Sequence, residues 1–157
     1  MKRNAIGLPA QASEELVLEL NQLLSNFHIY YQNLRSFHWN VRGAQFFELH
    51  LKFEELYTLA LQRIDEVAER ILALGGAPHS TFSAYLAESK IRESDGKLTS
   101  SEMVQSVIDA LGTLLITERK SLDLAQKMGD EGTASLLGDY ISEQEKLIWM
   151  LQSYLRR

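Results

Sequence analysis

Cysteine is absent from the 157-residue chain. That excludes disulfide bridges and thiolate metal sites such as structural zinc, so any metal held here is held by nitrogen and oxygen. Proline occurs only twice, at Pro9 and Pro78, both outside the long periodic segments. No uncharged apolar stretch approaches the roughly 18 residues of a membrane span. The opening MKRNAIGLPAQ has no apolar core of a signal peptide. These absences predict a soluble cytoplasmic protein. Clustered basic charge is also missing: 16 Lys and Arg are dispersed among 21 Asp and Glu, for a net charge of −5. General nucleic-acid affinity needs clustered cations that release counterions, so it is disfavoured.

What is present is apolar periodicity. With 45% apolar residues the chain can bury one sizeable core, and its length predicts a single domain over 1–157, with 1–12 as a short N-terminal tail. Leu16, Leu20, Leu23, Phe27, Tyr31 and Leu34 recur every three or four residues and predict a first long helix from about Ser13 to Val41. After a turn at Arg42-Gly43, a second helix carries Leu49, Phe53, Leu56, Ala60, Ile64, Val67, Ile71 and Leu74 on its core face and stops at Gly75-Gly76-Ala77-Pro78. A third is predicted from a cap at Thr99 or Ser100 to about Met128, and a fourth from about Thr133 to Leu155. Between the second and third, Thr81 to Ser89 can form a short helix inside a long crossover. Four long helices with one long middle connection is the plan of an all-α, ferritin-like four-helix bundle.

Chemistry concentrates in His38, His50, Glu54, Asp65 and Glu69. At about 100° per residue the last four project within a wedge of roughly 100° on the second helix, offset from its core stripe. Leu61 and Leu72 share that wedge, giving the helix a second apolar stripe suited to another subunit. Asp65 and Glu69 have only each other at i,i+4, a repulsive pair without a basic neighbour that invites a cation. Glu66, by contrast, has Arg63 and Arg70 within helical reach and reads as a solvent-face residue. Each i,i+4 pair alone is a common surface arrangement; two coinciding pairs, with His38 across the turn from His50, favour ligation. His50 and Asp65 are 15 residues apart, roughly 22 Å along a helix, while a metal–ligand bond is about 2 Å. One chain therefore cannot close the site. Two copies of the second helix packed antiparallel about a two-fold axis bring His50 and Glu54 of one to Asp65 and Glu69 of the other. A ferritin site inside one bundle uses Glu-x-x-His, and no histidine here has a glutamate three residues before it.

The stretch Phe37-His38-Trp39-Asn40-Val41-Arg42-Gly43, followed by Phe46, Phe47, Leu49-His50, Phe53, Asp65-Glu66-Val67-Ala68-Glu69-Arg70 and Gly75-Gly76, resembles the signature of the Dps family, the miniferritins; the likeness runs on to Ile148-Trp149-Met150. The resemblance implies ferritin-like subunits assembled as a hollow homododecamer. It implies a ferroxidase that oxidises Fe(II) at two-fold interfaces, with hydrogen peroxide preferred to dioxygen, and stores Fe(III) inside. It also implies that His38, His50 and Glu54 come from one subunit and Asp65 and Glu69 from its partner. Position 54 is Glu where many members have Asp, and the tail offers only Lys2 and Arg3 where DNA-condensing members often carry a longer Lys-rich extension.

Trp39, beside His38, is read either as a group that intercepts oxidising equivalents, as suspected in the family, or as a packed aromatic. His28 and His79 are left out of the metal set. Asp130 and Asp139, with Glu131 and Glu143 as alternatives, are candidates to line a pore for Fe(II), against the plainer reading of a solvated face. Three function classes follow: an iron store and ferroxidase, a DNA-compacting stress-protection protein, and a helical assembly acting as a surface ligand.

Overall fold

The computed structural model describes residues 1–156. The described residues form five helices: α1 (Ala10–Asn40), α2 (Phe46–Ala73), α3 (Phe82–Glu88), α4 (Ser100–Met128) and α5 (Glu131–Leu155). The short connections after α1 and α4 turn each following helix back antiparallel. The core between the helices is apolar, with Leu16, Leu20, Leu23, Leu34, Phe37, Phe53, Val67, Ile71, Met103, Leu114 and Leu137 fully buried. Among the described residues no helix is long and apolar enough to cross a membrane.

Two helix starts differ from the expected ones. α1 begins at Ala10, directly after Pro9, whose fixed φ suits a helix entry. Ser13 is no cap, and its hydroxyl donates back to the Pro9 carbonyl at 2.9 Å. α5 begins at Glu131 because Asp130 is the cap, accepting from Thr133 N–H at 3.0 Å. The start of α4 is as expected, with Thr99 and Glu102 forming a reciprocal capping box. Residues before α1 fold back on the bundle: the Asn4 amide donates to Ser13 Oγ and to the Leu74 carbonyl, and its oxygen accepts from Ile6 and Leu8 N–H.

The crossover lies along α1 and is pinned there by three buried asparagines. Asn21 donates to the Ala77 carbonyl and accepts from His79 N–H; Asn33 does the same for Arg92 and Ser94. Asn26 accepts from Lys90 N–H and donates to Thr117 on α4. A side-chain amide matches the donor and acceptor of a peptide, so each asparagine satisfies irregular backbone that would otherwise be buried without partners. Gly96 closes the crossover at φ +75°, where an added Cβ would stand 2.5 Å from Ser36 Oγ. The crossover therefore reaches the Asn40 end of α1 before α4 starts, and α4 runs antiparallel to α1 and parallel to α2. That order leaves the wedge face of α2 on the outside of the bundle.

Candidate metal centre

His38 lies in the last turn of α1 and is buried; His50 lies near the start of α2 and is half-buried. The five-residue connection brings their rings into a parallel stack, centroids 3.8 Å apart and planes 11° from parallel. Nδ1 of His38 donates to the His50 carbonyl at 2.6 Å, and Nδ1 of His50 donates to the His38 carbonyl at 2.7 Å. A carbonyl only accepts, so both Nδ1 atoms carry hydrogen and the tautomer of each neutral ring follows: Nε2 keeps its lone pair. The His38 carbonyl is one of those a helix C-terminus leaves unpaired, so His50 also caps α1. Two imidazoles are thereby held with one lone-pair nitrogen each, able to accept a proton or a metal ion.

Neighbouring rings hold this pair in place. Phe46 stacks on the other side of His50, 5.0 Å between centroids, and Tyr57 meets His38 edge-on at 5.4 Å. Their positioning role was not read from the sequence; the one signal available was their helical spacing, Phe46 at i−4 and Tyr57 at i+7 from His50. Trp39 is 59% exposed, so it is no core aromatic, and the Arg35 guanidinium lies 5.0 Å from its ring centroid.

Glu54, Asp65 and Glu69 are exposed on the same wedge of α2. Among the described residues none of the three has an ion-pair partner, whereas Glu55, Glu66, Asp130 and Glu143 all do. The single chain brings His38 and His50 together but does not bring the five residues together. Among the described residues there is no cluster of three or more His, Asp or Glu able to hold a metal. This agrees with the roughly 22 Å separating His50 from Asp65 along α2. Apolar side chains surround the free carboxylates: Phe47, Leu51, Leu61 and Leu72 are 80%, 62%, 52% and 58% exposed. Such a face, apolar and bearing unneutralised acids, has the makeup of an interface that shares a cation.

The face around Glu66 is not the solvent face expected of it. Arg63 pairs with Glu66 and, across the bundle, with Glu143 of α5; Tyr140 of α5 donates its hydroxyl to Glu66. Burial alone would raise the Glu66 carboxyl, but the bonds from Tyr140, Arg63 and Gln62 outweigh it and hold the group below the usual carboxylate range. Arg70 pairs with Asp130 at 2.7 Å and donates to Thr133. This ladder of long side chains joins α2 to α5. It also removes Asp130 from the pore candidates: 2% exposed, it caps α5, pairs with Arg70 and accepts from the Thr133 hydroxyl, so its carboxylate is turned into the bundle rather than toward a channel. Asp139 and Glu131 are exposed, and Glu143 is engaged with Arg63.

His28 and His79 stay outside the site. His28 stacks on Tyr85 of α3 with centroids 3.7 Å apart, and burial pushes its imidazole down to about 4. The His79 backbone is held by Asn21 and Tyr85.

A family model described as a ferritin-like domain matches residues 17–157. The crystal structure of a Dps protein from Vibrio cholerae O1, described as a member of a superfamily of ferritin-like diiron-carboxylate proteins, superposes with a TM-score of 0.97 at 46% identity; the alignment covers 99% of this chain and 98% of that one. A DNA protection during starvation protein from Porphyromonas gingivalis is 43% identical over 94% of this chain and 93% of its own length. An uncharacterised protein from Haemophilus influenzae is 46% identical over 98% and 96%.

Proposed function

The chain belongs to the Dps family, with the all-α ferritin-like fold, and from that premise we propose that it is an iron-storage and detoxification miniferritin. In this reading it oxidises Fe(II) at sites shared between two subunits and keeps the Fe(III) inside a hollow homododecamer. The observation that carries the proposal is the reciprocal lock of His38 and His50, which presents two ligating nitrogens beside a wedge of unpaired carboxylates.

Fe(II) enters as substrate. Imidazole and carboxylate oxygen suit a borderline divalent ion such as Fe(II), and the absence of cysteine excludes a thiolate structural site. His38, His50 and Glu54 of one subunit would hold the ion against Asp65 and Glu69 of the other. The carboxylates add negative charge that favours the Fe(III) product over Fe(II). Hydrogen peroxide is the proposed preferred oxidant over dioxygen: one molecule takes two electrons from two Fe(II) and two protons from solvent and leaves as two waters.

The Porphyromonas relative is named for protecting DNA, and a DNA-compacting role is the second reading. Against tight binding stand the net charge of −5 and the restraint of the basic tail residue Arg3, whose guanidinium donates to the Gly7 carbonyl. The deciding experiment is anaerobic Fe(II) titration followed by peroxide, with particle mass measured in solution and duplex DNA tested by mobility shift. Saturable Fe(II) binding, rapid oxidation and a mass of twelve 17.9 kDa chains are expected. A monomer that oxidises iron no faster than buffer, or a particle that retards DNA at physiological salt, overturns the corresponding part.

A further inference from the structure

At the centre of the bundle, away from the α2 wedge, Glu118 of α4 faces Gln144 of α5. Glu118 is 0% exposed and Gln144 9%. Gln144 Nε2 donates to Glu118 Oε1 at 2.7 Å. The other half of the encounter is unsatisfied: Glu118 Oε2 and Gln144 Oε1 are both buried, and neither has a hydrogen-bond partner. Each side chain of this hydrogen-bonded pair thus keeps one buried acceptor for which the fold supplies no donor, and a hydrogen on one of them would satisfy both if it bridged the pair.

The surrounding charges do not supply a substitute. From α1 the Tyr30 phenol approaches, itself pushed up by burial and by Glu118. From α2 comes Arg63, already paired with Glu66 and Glu143 and lying 4.2 Å from the Tyr140 ring centroid. From α5 come Tyr140, bonded to Glu66, and Glu143; on α4 itself Arg119 is turned outward to Glu145. Among the described residues no cation beside Glu118 is free to neutralise its carboxylate. A metal ion would find one carboxylate and one amide oxygen beside a guanidinium, far short of the six or more oxygens a hard cation requires.

We propose that Glu118 is a proton-binding site of the folded protein: Oε2 carries the proton and donates it to Gln144 Oε1, closing a two-point acid–amide pair that ties α4 to α5 and opens when the proton is lost. The complementarity is that of any carboxylic acid with a primary amide, N–H to oxygen on one edge and O–H to oxygen on the other. Burial acts in the same direction, raising the Glu118 carboxyl to about 7 against the opposing pull of Gln144, Arg63 and Arg119. The fold thus contains a titrating link between two helices within the range of cellular pH, independent of iron.

The test uses the intact assembly and its Glu118→Gln variant, in which an amide N–H replaces the acid O–H and both hydrogen bonds persist without a titrating proton. Infrared spectra near pH 6, where ordinary carboxyls are ionised, should show the carbonyl stretch of a protonated carboxyl in the native protein, fading as pH rises to about 8 and missing from the variant. In denaturant unfolding the two proteins should match near pH 5. Near pH 8 the folded-to-unfolded ratio of the variant should exceed the native one by on the order of a hundredfold. Absence of the protonated carboxyl, or parallel pH profiles for the two proteins, overturns the proposal. So does failure of the variant to fold, because an amide satisfies both edges of the pair.

Discussion

His38 and His50 each donate a ring N–H to the other's main-chain carbonyl, at 2.6 and 2.7 Å, across a connection of five residues. The same pair of bonds caps one helix, orients two rings and aims two lone pairs, so ligand geometry and helix-end stability are one structural feature. His50→Ala removes a cap, a stack and a proposed ligand together. It should lower the unfolding free energy by about 1–3 kcal/mol as well as slow Fe(II) oxidation. An unchanged denaturation midpoint in the variant would show that the reciprocal bonds contribute nothing.

The distance between the two halves of the site leads to a complementation experiment. One variant carries His50→Ala and Glu54→Ala, another Asp65→Ala and Glu69→Ala; each alone should oxidise Fe(II) slowly. After refolding together, half the dimers are mixed and each mixed dimer has one intact site, so about a quarter of all sites should recover. Mixtures shown by mass spectrometry to contain both chains, yet no more active than the separate variants, would rule out a site shared across a two-fold axis.

The exposed leucines of the α2 wedge should matter as much as the ligands. Leu61→Glu with Leu72→Glu leaves all five ligand residues untouched but sets new like charges beside Asp65 and Glu69 where another subunit would pack. Light scattering should then report dissociation, and oxidation should fall to the level of a ligand variant. Retained assembly together with retained activity would place the subunit contact elsewhere.

Stability toward acid should depend on His28. Its imidazole is pushed down to about 4 by burial against Tyr85, so the folded protein refuses a proton that the unfolded chain accepts near 6.5. The contribution is neutral above about pH 6.5, turns destabilising as pH falls from there to about 4, and is constant below. His28→Phe keeps the ring stack without the titration. Its unfolding profile should be flatter than that of the native protein between pH 6.5 and 4, and an identical slope would remove His28 as the cause.

Several features were legible in the chain itself because they depend on local spacing. Apolar recurrence gave four long helices, and Thr99 or Ser100, Gly75-Gly76 and Pro78 marked ends where backbone groups need caps or cannot continue, the cap proving to be Thr99. The shared face of His50, Glu54, Asp65 and Glu69 on α2 was readable for the same reason: i,i+4 spacing puts side chains on one face whatever the rest of the fold does. Their separation is a matter of helical rise, and it is what makes the proposed site one that a single chain cannot close. Even the family signature is a run of local motifs.

Long-range partners were beyond that reach. Nothing local distinguishes Asp130, committed to Arg70 sixty residues away, from exposed Asp139, or Glu118 in its Thr-Glu-Arg-Lys surroundings from a solvated acid. The face of Glu66 looked solvated because its basic neighbours are close in sequence, while the α5 side chains that cover it are not. Nothing in the spacing of Asn21, Asn26 and Asn33 announces the crossover that lies on them. Sequence alone thus determined the helices and the chemistry each face carries. Tertiary structure decided which polar groups are buried together, because burial and pairing depend on segments that meet only when the bundle closes.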